Sequence, residues 1–239
     1  MDQETSYSET SPWGVTRFDE AYGGLPKRQF NLLQTCNKEV TLAALCHFIK
    51  AGMELEHPVV VVGFEHPRQV FYGATQYHFD LEAALASEQL IYLYYKPIFS
   101  FSLNFATNYR QLLDEIRCLA KTKTARIAFL NAEALFNLET RFLAETSAEK
   151  IMADFSDERF LILGCIQNTP GNTDPCLKQI CHTSLHSVME IRPAQRDASR
   201  KYELIAHKNP LRAPQPPIRL RMHRTSGFNT PNLELISHG

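Results

Sequence analysis

The sequence has no apolar run near the roughly 20 residues that cross a bilayer; its most hydrophobic stretch, "HPVVVVGF" at 57–64, is only strand-length. It also lacks an excess of charge of either sign. The 25 basic and 26 acidic side chains nearly cancel, so no overall field steers the chain to nucleic acid or anionic lipid. The opening "MDQETSYSETSPWG" has neither the basic nor the apolar segment of a secretory leader. There is no paired CxxC knuckle, and the six cysteines are scattered through hydrophobic stretches. These absences lead us to expect a soluble, cytoplasmic, reduced protein without membrane insertion.

What is present is a core. A chain of 239 residues that is 44% hydrophobic can bury a large interior, and we expect one domain over residues 13–239 behind a flexible lead-in, 1–12. Short β-rich runs at 30–34, 59–64, 90–95, 127–131, 160–166 and 187–191 alternate with helical stretches at 39–53, 67–77, 80–88, 105–123, 141–155 and 174–182. That alternation is the signature of an α/β fold: a mostly parallel central sheet flanked by helices. Continuous runs such as "VVVV" and "FLILGCI" suit strands covered on both faces. After Arg192 the alternation stops, and "RKYELIAHK" and "PPIRLRMHR" read as an antiparallel β-hairpin extension within 192–230.

The stretch "QFNLLQTCNKEVTLAALCHFI" at 29–49 has the outline strand–loop–helix, with the loop where phosphate would be held. A phosphate loop needs glycines that let backbone N–H groups turn inward, a lysine for the β and γ oxygens, and a hydroxyl for magnesium. Here Thr35, Cys36, Asn37, Lys38, Glu39 and Thr41 include no glycine, and Lys38 is followed by an acid. Glu39 places negative charge at the helix N-terminus, where phosphate would otherwise use the dipole, so the loop reads as self-capped.

The order of the pieces resembles the KaiC-like branch of RecA-type ATPases. "GVTRFDEAYGGLPKRQFNLL" is similar to that family's entry sequence, "VVVVGFEHPRQVFYGATQYHFDLEAALASEQLIYL" to its second strand and following turn, "RIAFLNAEAL" to its acidic strand, and "KYELIAHKNPLRAPQPPIRLRMHRTSGF" to its closing hairpin. The resemblance implies a RecA-like fold from about Gly14 to Phe228. It also implies what is altered: Asn131 stands where the family has the magnesium Asp, and Glu65 matches the first of two water-activating carboxylates while His66 replaces the second. Loss of cradle, lysine and Asp together removes most of what positions and neutralises a transferred phosphoryl group. We therefore expect no hydrolysis and no cofactor, with Glu65 kept as a cap for the helix that starts at Pro67.

Other constellations are weaker. Cys165, Cys176, Cys181, His182 and His186 lack zinc-site spacing, and adjacent helical residues point about 100° apart, so the expectation is no metal. Cys36 at a helix start could be a nucleophile, but no partner is identifiable, and an inert thiol is expected. From Arg192 to Arg224 nine basic residues face only Asp197 and Glu203. Among them Lys208, the match to a family residue that reaches a neighbouring subunit's nucleotide, together with Arg212, Arg219 and Arg221 marks an interaction surface. Phe99 and Phe101, on a stretch read as a loop, mark a second, aromatic one.

The functional expectation is a pseudo-ATPase: a catalytically inactive RecA-like scaffold or regulatory subunit that binds other protein subunits in a larger bacterial assembly, as a hetero-complex or small homo-oligomer. Nucleic acid ranks behind protein as the hairpin's partner. A residual nucleotide or cyclic-dinucleotide sensor is the third reading.

Overall fold

The computed structural model describes residues 10–94, 101–120, 124–136, 141–154, 160–167, 174–194, 201–213 and 215–222. In chain order the elements are β1 (Thr10–Ser11), α1 (Thr16–Tyr22), β2 (Leu25–Pro26), β3 (Phe30–Thr35), α2 (Lys38–Glu54), β4 (Val59–Gly63), α3 (Pro67–Val70), α4 (Leu81–Ala86), β5 (Leu90–Tyr94), α5 (Phe101–Ala120), β6 (Ala125–Leu130), α6 (Arg141–Asp154), β7 (Phe160–Gln167), α7 (Pro175–Thr183), β8 (Ser187–Pro193), β9 (Lys201–Lys208) and β10 (Ile218–Arg221). Short 3₁₀ turns follow α3 (Ala74–Tyr77) and β6 (Ala132–Leu135).

Eight strands form one sheet in the order β10-β9-β8-β3-β7-β6-β4-β5. The strands from β8 to β5 are parallel, while β9 and β10 are antiparallel. This is the expected α/β architecture with its C-terminal hairpin. Right-handed crossovers decide where the helices go. The steps β3 to β4 and β4 to β5 move toward the β5 edge and leave α2, α3 and α4 on one face. The steps β5 to β6, β6 to β7 and β7 to β8 run back and leave α5, α6 and α7 on the other. Two cores result. One gathers Trp13, Phe18, Leu45, Phe48, Val61 and Leu163; the other gathers Phe30, Ile116, Ile127, Phe136, Ile151 and Ile180.

The central strands are buried on both sides, as in the unbroken run of buried positions over Val59–Gly63. In β9, by contrast, Tyr202, Leu204 and Ala206 are buried and alternate with partly exposed Lys201, Glu203 and Ile205. That alternation marks an antiparallel strand covered on one face only.

Several expected boundaries shift for local reasons. The helix expected over 67–77 is split because Gly73 adopts the left-handed region at φ 83°, which ends α3 before a separate 3₁₀ turn begins. The loop expected through Asn104 is shorter. Helix α5 begins at Phe101, and the spacing Phe101, Phe105, Tyr109, Leu112, Leu113, Ile116 continues a helical period that the density of aromatics had masked. Asp80 and Asp174 cap α4 and α7: Asp80 Oδ1 accepts from Ala83 N at 3.0 Å, and Asp174 Oδ1 from Cys176 N at 2.7 Å.

Thr10 and Ser11, which fall within the 1–12 stretch expected to be a flexible lead-in, form β1 and pair antiparallel with β2. The cause is Arg126 on β6. Its fully buried guanidinium donates to Phe48 O (3.0 Å), Ser11 Oγ (3.1 Å) and Pro12 O (2.7 Å), and lies over the Phe48 ring. Asp19 reinforces the same segment by accepting from Trp13 N and Gly14 N. Among the described residues no helix is long and apolar enough to cross a membrane.

Candidate functional site

Adjacent strands whose connections leave toward opposite faces open a crevice at their carboxyl ends, and in α/β sheets that crevice is where ligands bind. Here β3 and β4 send their connections to one face, β7 and β6 to the other. A cleft of about 310 Å³ lies at that place, with Lys38, Glu39 and Thr41 from the start of α2, Glu65 after β4, Asn131 after β6 and Gln167 ending β7 in its wall. The structure therefore brings five residues of the expected nucleotide site, Lys38, Glu39, Thr41, Glu65 and Asn131, to one cleft, and adds Gln167, which the sequence did not single out. Its floor is apolar, from Leu42, Leu45, Val70, Leu130 and Cys165.

The loop between β3 and α2 is capped from within, although by a different residue than expected. Asn37, in an extended conformation, accepts the Val40 N–H on its side chain at 2.9 Å, while its carbonyl receives Thr41 N. Glu39 sits in the first turn, where its charge complements the helix dipole. The Thr41 hydroxyl donates to Asn37 O at 3.0 Å and lies 2.5 Å from Thr35 Oγ1, which in turn reaches Ile166 O. Both threonines are thus tied into the backbone around the loop. Cys36 is half-buried; burial and the charge of Glu190 push its thiol pKa up, the reverse of what a nucleophile needs. Cys46 and Cys165 are pushed up to about 12 and Cys181 to about 11, each chiefly by burial.

Lys38 Nζ forms an ion pair with Glu65 Oε1 at 3.1 Å. This corrects the expected role of Glu65. The cap of α3 is His66, whose Nδ1 accepts the Arg68 N–H at 3.3 Å with Pro67 at the first helical position, so Glu65 is released to meet Lys38. The Glu65 carbonyl is held separately, by the Tyr92 hydroxyl at 2.8 Å.

Asn131 occupies the left-handed region (φ 57°, ψ 48°) just beyond β6, a conformation that asparagine tolerates better than most residues. Its side chain bonds to Glu133, whose own carboxyl is pushed up by burial and whose Oε2 has no partner. Glu133 was not anticipated, because a lone acid in "NAEAL" carries no spacing signal. Gln69 on α3, and Tyr72 and Gln76 from the turn around Gly73, were also missed; all three line the cleft, with Tyr72 86% exposed.

The expected interaction residues divide. Lys208 is turned inward: its ammonium donates to the carbonyls of His182 and Leu185, closing the end of α7. Arg212 Nη1 donates to Ala21 O at 2.6 Å. Both make hydrogen bonds within the chain, and Arg212 remains exposed. Arg219 and Arg221 lie on β10 opposite Glu203 and Lys201 respectively. Arg192 also pairs with Glu203, at 3.2 Å. Phe99 lies outside the described residues; Phe101 begins α5, and its side chain is outside them too. Among the described residues no group of three or more His, Cys, Asp or Glu side chains is arranged to hold a metal.

No protein-family model matches this sequence, and no curated protein matches it. Among solved structures, the KaiC-like protein of the hyperthermophilic archaeon Pyrococcus horikoshii superposes with a TM-score of 0.70 at 16% identity, covering 93% of this chain and 99% of that one. The chain thus shares the α/β fold of that KaiC-like protein, with a mostly parallel sheet, helices on both faces and an antiparallel hairpin at its C-terminal end.

Proposed function

We propose that this chain is a RecA-like domain that does not hydrolyse nucleotide and serves as a scaffold or regulatory subunit binding other proteins. The observation that carries the reading is the state of the loop at the head of α2. Its lysine is neutralised by Glu65, its hydroxyl is bonded to Asn37, and its cap is the Asn37 side chain. Glu65 holds the lysine that the loop could otherwise turn toward a triphosphate. Isothermal titration with Mg-ATP, together with a phosphate-release assay, tests it. No heat and no turnover are expected; micromolar binding, or turnover lost in Glu65→Gln, would overturn the reading.

A second reading has its own support. On the outer face of the hairpin Arg221 sits in register with Lys201, and Arg192 and Arg219 both flank Glu203. That face suits nucleic-acid phosphates. A salt-dependent mobility shift with single-stranded DNA or RNA, lost in Arg219→Glu/Arg221→Glu, would favour it.

A further inference from the structure

A second cavity, of about 330 Å³, lies at the C-terminal end of β9, lined by His186, His207, Lys208, Asn209, Pro210 and Arg212. Its lining holds two permanent cations, two imidazoles and no acid. Successive strand residues ordinarily face opposite sides of a sheet. Here the register passes from Lys208 opposite Val188 to Ala206 opposite Met189, so His207 is the extra residue of a β-bulge and lines the same cavity as Lys208. Arg212 arrives from the turn that follows, where Asn209 Oδ1 accepts Leu211 N at 2.9 Å.

The state of the two cations separates this cavity from the rest of the basic segment. Arg192 meets Glu203, whereas among the described residues Lys208 and Arg212 meet only backbone carbonyls, His182 O and Leu185 O for the lysine and Ala21 O for the arginine. Those carbonyls lie at the C-terminal ends of α7 and α1, and a helix end presents at most about half a unit of negative charge. Two full charges against two such ends leave about one unit of positive charge unbalanced. Glu190, beside the cavity but outside its lining, is bonded to His207 at 2.9 Å. Donors remain as well, because the carbonyls take two of the three ammonium hydrogens and one of the five on the guanidinium. The wall has no Phe, Tyr or Trp on which a base could stack, and its cations are gathered in one pocket, which favours a carboxylate over a nucleic-acid strand.

We infer that this cavity receives a carboxylate from an acidic segment of a protein partner, bound by Arg212 and by the remaining Lys208 hydrogen. Both side chains are already held by the helix ends they close, so little conformational freedom is lost when the anion arrives. The inference rests on the scaffold reading above and names the chemistry of the partner.

The test uses the full chain and an acetylated, amidated tetraglutamate peptide, titrated by NMR at low ionic strength. Saturable binding with a dissociation constant of about 1 mM is expected of so small a fragment. The tetraglutamine peptide, equal in shape but uncharged, should not bind. Arg212→Gln and Lys208→Met should each weaken the tetraglutamate by about tenfold, while Lys208→Arg, which keeps charge and donors, should retain most of the binding. Arg117→Gln removes an equal charge from α5 and should leave the constant unchanged. Lys208→Met also opens the end of α7, so Arg212→Gln, with its thermal melt intact, is the decisive variant. Equal binding of the two peptides, equal weakening by Arg117→Gln, or an unchanged constant in Arg212→Gln would overturn the inference. So would tighter, Arg212-dependent binding of an oligothymidylate of equal charge, which would give the cavity to nucleic acid. Failure of the tetraglutamate to bind would sink this inference alone, whereas turnover of Mg-ATP would sink the scaffold reading whatever the peptide does.

Discussion

Lys38 Nζ lies 3.1 Å from Glu65 Oε1, so the first turn of α2 and the segment leaving β4 are joined across the mouth of the cleft. A fully buried aliphatic side chain in the floor, such as Leu45, contributes about 1.5–3 kcal/mol. An exposed pair of this kind contributes at most about 1 kcal/mol. Urea denaturation of Lys38→Met should therefore shift stability by less than about 1 kcal/mol. A larger loss would mean that the bridge holds the loop in place rather than merely neutralising it.

Asn37 has the larger structural task. Asn37→Ala removes the acceptor for Val40 N, and loss of such a cap costs about 1 kcal/mol, within a range of roughly 0.5–2. Asn37→Asp should retain the cap, and chemical denaturation of the two variants side by side checks the assignment.

Arg126 is the most consequential polar residue of the interior. Arg126→Ala would leave Pro12 O and Phe48 O without their donor and open a cavity beneath α2, at a cost of about 3–5 kcal/mol. Arg126→Lys keeps the charge but not the fork, and should fall between that variant and the natural protein. Limited proteolysis would report the same hierarchy, with cleavage near Ser11 accelerating as the donors are lost.

His47 supplies a pH dependence with a definite sign. Burial, aided by the Lys50 charge, lowers its pKa to about 4. The native state therefore prefers the neutral imidazole, and stability is intact above about pH 6.5 and declines as the pH falls toward 4. The slope is at most about 1.4 kcal/mol per pH unit. Asp19 and Glu133, raised chiefly by burial, act in the opposite sense because protonation relieves them. The difference between the natural protein and His47→Gln across that window isolates the histidine, and the variant should show the flatter acid limb.

Much of the architecture was legible because it rests on patterns repeated over many residues. The unbroken apolar runs of β4 and β7 announced strands covered twice, and the end of the strand–helix alternation after Arg192 announced the antiparallel hairpin. What escaped depended on single atoms or on partners distant in the chain. Lys208 reads as a solvent-facing cation until the register of β9 brings it beside the end of α7. Glu65 reads as a cap because it precedes Pro67, but a histidine nitrogen one residue later makes that bond. Tyr72 is an isolated aromatic in a turn, and only the left-handed Gly73 sets it at the rim. The arginine-rich segment gave a charge count without its sinks, which are backbone carbonyls for Lys208 and Arg212.

Among the described residues the sheet lies between the two cores, and the cleft floor belongs to one of them. Leu42, Leu45, Val70, Leu130 and Cys165, which form its floor, all pack with the α2 layer. The layer of α5, α6 and α7 has its own interior on the far side of the sheet. It is free to drift in sequence, or to be remade for a new neighbour, while the shape of the crevice stays fixed.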